Sequence, residues 1–276
     1  MSGTGGTARL VCNPEAGIGE SPVAGRDGEI VWTDPIAPRL LRFGAGRLDQ
    51  IALARPVWSL AAMPSGAWAG TLEDSFCLVD GEGAVRTGPR ATVDPGCRFN
   101  DMAVDPGGGL WTGAMHKGVL AGRGAIFHAP TPDAEPVRVF QGLGVPNGMS
   151  FSADGRTLFV IDTLARTLLA FPVDGGRLGE PLIVTDFMNV PGKPDGMAIA
   201  PDGSFWVAMW GGGCVARIGC DGALLGMVAM SAPHVSSLCL AGATLFVTTS
   251  RMRLSPDQLA GYPGSGGLFA IDLEDL

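Results

Sequence analysis

The stretch PNGMSFSADGRTLFVID at residues 146–162 has a near copy in PDGMAIAPDGSFWVAMW at residues 194–210. Each copy runs from Asn-Gly or Asp-Gly into a short apolar run, then a tight turn ending in Gly, then a second apolar strand. The second half of this phrase recurs along the chain as DGEIVWTD (27–34), PSGAWAGT (64–71), PGGGLWTGAM (106–115) and AGATLFVTTS (241–250). Six units result, and the Gly before each strand marks them: Gly28, Gly66, Gly108, Gly155, Gly203 and Gly242, separated by 38, 42, 47, 48 and 39 residues. After each marked strand comes another apolar run: RLLRF (39–43), SFCLVD (75–80), GAIFHA (124–129), TLLAFPVD (167–174), CVARIG (214–219) and GLFAID (267–272). Hairpin follows hairpin at the spacing of a propeller blade.

The expected fold is therefore all-β, a six-bladed β-propeller of four-stranded antiparallel blades, in one domain spanning 1–276 with no Ser/Gly-rich linker. A two-sheet sandwich does not account for six near-equal units. Composition agrees: 43 Gly and 21 Pro among 276 residues disfavour a helical bundle. Only SPDQLAGY (255–262) suits a helical turn. The charge of -8, from 27 acidic and 19 basic residues without a basic cluster, argues against nucleic acid as partner. No run of ~18 apolar residues and no basic-then-apolar leader is present, so neither a membrane partner nor export is expected, and the cytoplasm is the expected location. Six cysteines without a CxxC pair read as buried thiols. Oligomeric state is not legible.

Polar residues at equivalent places are the candidates for chemistry. Glu20, Asn100, Asn147 and Asp195 each lie eight residues before a marker Gly, while Trp58 holds that place before Gly66. Equivalent positions of successive blades face one axis, so these side chains are expected to converge. Two carboxylates with amide oxygens, and no His or Cys at ligand spacing, make an oxygen-donor set suited to one divalent cation: Ca²⁺, Mg²⁺ or Mn²⁺, and less selectively Zn²⁺ or Fe²⁺. The competing reading is a water-filled tunnel lined by polar groups. A serine hydrolase is disfavoured, since GxSxG is absent and His116, His128 and His234 have no triad context.

At GIGESP (17–22), RFND (98–101), PNGMSFSADGRTLFVIDT (146–163), PDGMAIAPDG (194–203), VAMWGGGCVARI (207–218) and the C-terminal LFVTTSR and GYPGSGGLFAID, the chain resembles the gluconolactonase, regucalcin and senescence-marker-protein family of propellers. The likeness to bacterial sugar lactonases extends to GAMH (113–116). The resemblance implies one divalent metal on Glu20, Asn147 and Asp195, with Arg98 and Asn100 contacting substrate. It implies metal-dependent hydrolysis of a small-molecule sugar lactone, glucono- or xylonolactone or a relative. In that chemistry Asp195, a ligand with a second oxygen free, is the candidate general base, and His116 is a candidate further substrate contact. The chain departs from the family in having Ser21-Pro22-Val23 after the acidic residue, where an aromatic is usual, and His116-Lys117 where some relatives carry an acidic contact. Lys117 and Arg98 raise a sulfo- or phospho-sugar lactone as a second kind of substrate. Two rival functions stand beside the sugar lactonase: a propeller phosphotriesterase or lactonase acting on other rings, and a non-catalytic calcium-binding propeller.

Overall fold

In the computed structural model, which describes residues 7–25 and 27–276, six antiparallel sheets surround an axis. The strand of each sheet nearest that axis is Glu20–Ala24, Ser59–Ala62, Cys97–Val104, Pro146–Phe151, Lys193–Ile199 or Val235–Ala241. Each lies against its successor, and the last lies against the first, which closes the ring. The marked segments form the second strands and the runs after them the third, as the repeat implies. The chain is a six-bladed β-propeller.

Local turn chemistry explains why these segments pair. All six marker glycines have φ between +60° and +90°, a left-handed conformation in which a Cβ is costly. In four blades the marker N–H closes the turn on the carbonyl three residues back: Gly66 on Met63, Gly108 on Asp105, Gly155 on Ser152 and Gly203 on Ala200. First and second strands then leave the turn in antiparallel register.

Two features go beyond the repeat. The N-terminal strand Arg9–Cys12 pairs with Leu268–Asp272, with Leu10 opposite Phe269, so the sixth blade draws on both ends of the chain. Blade four carries an extra piece, because Thr167–Asp174 pairs with both Arg177–Leu178 and Leu182–Asp186. The expected helical turn is the short helix Pro256–Gly261, where Ser255 Oγ accepts from Gln258 N and Gln258 Oε1 accepts from Ser255 N.

Apolar residues pack between neighbouring blades rather than into one central core. Val31 and Leu40 of blade one meet Leu60, Cys77 and Val79 of blade two. Trp206 and Val215 of blade five meet Val235, Leu245 and Phe269 of blade six. Each such aliphatic or aromatic side chain contributes about 1.5–3 kcal/mol by leaving water, and the axis is left free for polar groups. All six thiols are free, and Cys77, Cys97, Cys214 and Cys239 are buried as expected. Cys220 departs from that expectation: it sits in the turn after the third strand of blade five and is exposed, while Cys12, on the outermost strand of blade six, is half-buried.

Candidate active site

The four axial residues fall on the innermost strands of blades one, three, four and five. In each of these blades the register with the second strand shifts at that residue: between Glu20 and Val23, Phe99 and Met102, Asn147 and Met149, and Pro194 and Met197. A bulge adds a residue to one strand and re-aims its side chains. Blade two, which carries Trp58 just before its first strand, pairs without a shift from Ser59 to Ala62. Ser21, next to Glu20, has φ +47°, so the backbone distortion sits beside the carboxylate it aims.

Hydroxyls and buried carboxylates fix the ends of these strands. Thr71 Oγ1 donates to Asn100 O at 2.8 Å, Thr163 Oγ1 to Pro194 O at 2.8 Å and Ser236 Oγ to Gly19 O at 2.6 Å. Each bond runs from one blade to the backbone at or beside the axial residue of the next. Asp34 accepts from the N–H groups of Gly17 and Ile18 ahead of Glu20, and Asp162 from those of Gly144 and Val145 ahead of Asn147. These charge-assisted bonds are roughly twice as strong as neutral ones, and they hold two site segments without entering the site.

Glu20, Arg98, Asn100, Asn147 and Asp195 all line one cavity of about 460 Å³ at the mouth of the axial tunnel, a size suited to a small ligand. Asn100 Nδ2 donates to Asn147 Oδ1 at 3.1 Å and to Pro146 O at 3.0 Å. Asn147 Nδ2 in turn donates to Thr163 Oγ1 at 3.2 Å and to Asp195 Oδ1. Arg98 Nη1 donates to Asn100 Oδ1 at 2.9 Å and Phe99 O at 2.7 Å, and its guanidinium lies 3.7 Å from the Trp58 ring centroid. Ile18, Ile36, Val145, Leu164 and Trp210 supply an apolar wall.

His116 is not among the residues that line the cavity. Its Nδ1 accepts from the Gly118 N–H at 3.0 Å, while its neighbours Met115 and Lys117 face the cavity. His234 stands eight residues before Gly242, the place that Glu20, Trp58, Asn100, Asn147 and Asp195 hold in the other blades, and the polar residues put forward from the sequence did not include it. It stacks on Trp210 at 4.4 Å between ring centroids, and its Nδ1 is 2.9 Å from Met252 O.

Below the cavity lies a third carboxylate, Asp101, which the RFND motif displays without a role. Ser21 Oγ donates to Asp101 Oδ1 at 3.2 Å and is 2.7 Å from Ser59 Oγ. Burial pushes the Asp101 carboxyl up to about 6, against the pull of Ser21, Ser59 and Arg98. Burial first, then the Asp195 and Asp101 charges, hold Glu20 well above the ordinary carboxylate range. Asp195 is raised likewise by burial and by Asp101, and Asn147 opposes the shift. Asp195 and Asp101 both raise Glu20, Asp101 raises Asp195, and the Arg98 guanidinium offsets only Glu20 and Asp101; the excess of negative charge is one that a divalent cation would neutralise. Among the described residues no three His, Cys, Asp or Glu side chains form a ready metal cage. The donors that fit a hard cation are Glu20, Asp195 and the amide oxygen of Asn147.

The fold and site together define a six-bladed β-propeller with a carboxylate and amide cluster at the mouth of its axial tunnel. The family model described as SMP-30/Gluconolactonase/LRE-like region matches residues 18–251, and the chain belongs to this family. It is 30% identical over 269 residues to regucalcin of Oryctolagus cuniculus, covering 92% of this chain and 90% of that protein. It is 29% identical over 276 residues to 6-deoxy-6-sulfogluconolactonase of Pseudomonas putida, covering 96% and 94%. The crystal structure of a calcium-binding protein, regucalcin, from Agrobacterium tumefaciens superposes with a TM-score of 0.86 at 26% identity, over 96% of this chain and 93% of that one. No helix among the described residues is long and apolar enough to cross a membrane.

Proposed function

We propose that the chain opens a sugar aldonolactone to its aldonic acid in this cavity, with one divalent cation held by Glu20, Asn147 and Asp195. The observation that carries the reading is the meeting of Glu20, Asn147 and Asp195 with Arg98 and Asn100 in a single cavity of sugar size. A cation bound there would polarise the lactone carbonyl and make a bound water more acidic. Asp195 takes a proton from the water that adds to the carbonyl carbon. The ring C–O bond then breaks, the former ring oxygen gains a proton to become a hydroxyl, and the new carboxylic acid releases one proton to solvent. Arg98 is pre-oriented by Trp58, Phe99 O and Asn100 Oδ1, and its Nε and Nη2 have no hydrogen-bond partner among the described residues, so they are available to a lactone oxygen. Asn100 braces both Arg98 and Asn147, which places the substrate and cation sides of the cavity in one hydrogen-bonded chain. The sulfogluconolactonase among the relatives supports a lactone substrate, and His116 is assigned no contact because it does not line the cavity.

The test strips the protein with a chelator, reloads it with Ca²⁺, Zn²⁺, Mn²⁺, Mg²⁺ or Fe²⁺ in turn, and measures proton release from glucono- and xylonolactone above the spontaneous rate. Activity that returns with a cation and disappears in Asp195→Ala, together with loss of bound metal, is the expected result. Full activity in chelator with no residual metal, or an Asp195→Ala protein that still hydrolyses in a metal-dependent way, would overturn the reading.

A further inference from the structure

The axial set has a second tier. Ten residues before the marker glycines stand Ile18, Arg98, Val145 and Lys193, and all four line the cavity. Lys193 opens its strand two residues before Asp195 and is exposed where Asp195 is buried, so it stands nearer the mouth than the carboxylate. Two members of this tier are cations, and their circumstances differ. Arg98 is engaged by Trp58, Phe99 and Asn100. Lys193 is exposed and has no ion pair among the described residues. Arg253, which also lines the cavity, is exposed, likewise without an ion pair among the described residues, and held at φ +63°, an uncommon backbone for a long side chain. Lys117, the cation that the sequence put forward, is committed to Glu73 at 2.6 Å.

Once a divalent cation matches Glu20 and Asp195, the charges remaining on the lining are Arg98, Lys117, Lys193 and Arg253 against Glu73 alone. A positive mouth on a chain of net charge -8 is a local departure from the whole, and such a mouth concentrates anions from solution. Resting on the lactonase reading above, we propose that the lactone accepted here carries an oxyanion, a sulfonate, phosphate or carboxylate, at the end remote from the ring carbonyl, and that Lys193 and Arg253 hold it. With the carbonyl at the deep tier, the remote end of a six-carbon sugar points to the rim, where both free cations stand.

The test compares gluconolactone with its terminal phosphate ester as substrates, and separately gluconate with its terminal phosphate ester as ligands raising the melting temperature. In the wild-type protein the phosphorylated lactone is expected to have about tenfold or greater kcat/KM, a preference worth about 1.4 kcal/mol that shrinks with added salt. Lys193→Met keeps the aliphatic stem, and Arg253→Asn tolerates the left-handed backbone; together they are expected to bring the ratio within about twofold. Equal kcat/KM for both lactones in the wild type, or a ratio unmoved in the double variant, overturns this inference and leaves the lactonase reading intact. If neither lactone opens with any divalent cation, the lactonase reading falls, and the melting-temperature comparison still decides whether Lys193 and Arg253 form an anion site.

Discussion

Asp101→Asn isolates what the buried charge beneath the cavity costs the protein. The carboxyl lies among Ser21, Ser59 and the deep ends of the innermost strands, and its folded pKa is about 6 against an ordinary 3.8. The rise of about two units corresponds to about 3 kcal/mol, at 1.36 kcal/mol per unit. Because the folded pKa is raised, the unfolded chain gives up this proton first. The stability of the protonated form is present below pH ~4 and is lost as pH climbs through about 6. Asn keeps the shape and an acceptor for Ser21 but never ionises. In chelator at pH 8 the variant is expected to be more stable by about 3 kcal/mol, or at least ~6 °C in Tm for a chain of this size. At pH 4 the two proteins are expected to melt together. Relief of Glu20 and Asp195, which Asp101 also raises, adds to the gain at pH 8, and saturating divalent cation narrows it by stabilising the wild type preferentially. Thermal melts at four to six pH values with chelator suffice. A variant less stable than wild type at pH 8, or a difference of equal size at both pH values, would refute the reasoning.

Three further outcomes are expected. Thr163→Val removes a donor to Pro194 O and an acceptor for Asn147 Nδ2; at about 1 kcal/mol per hydrogen bond it lowers stability by ~2 kcal/mol in denaturant titration, and Thr163→Ser restores most of it. Gly108→Ala meets no atom within 4 Å at φ +90°, so its loss of about 1–2 kcal/mol is backbone strain alone, and an unchanged midpoint would show the turn to be adaptable. With a thiol reagent at pH 8, exposed Cys220 reacts first in the native protein, half-buried Cys12 slowly, and Cys77 and Cys239, both pushed up to about 12 by burial, only on unfolding; rapid native labelling of Cys77 would contradict its place between blades.

The repeat was legible because glycine is required where the backbone turns left-handed, and six such turns fall at blade spacing. The same count exposed the axial residues, since a fixed offset from a turn is a fixed height on the adjoining strand. What the offset could not show is aim. Side chains alternate across a regular strand, and only the register shifts at Glu20, Asn100, Asn147 and Asp195 determine how each projects from its strand. A bulge belongs to a pair of strands, so neither strand displays it alone. Ring closure was hidden for a related reason: Leu10 and Phe269 meet across nearly the whole chain, and nothing local to RLVC identifies its partner. Arg98 shows the limit from the other side. Its motif marked it as a ligand contact, but its orientation comes from Phe99 O, Asn100 Oδ1 and the Trp58 ring, and Trp58 is the exception among the polar residues at that offset. The aromatic at the non-polar place carries the face of the cation whose edge the polar groups hold, so the position that broke the pattern belongs to the site as much as those that made it.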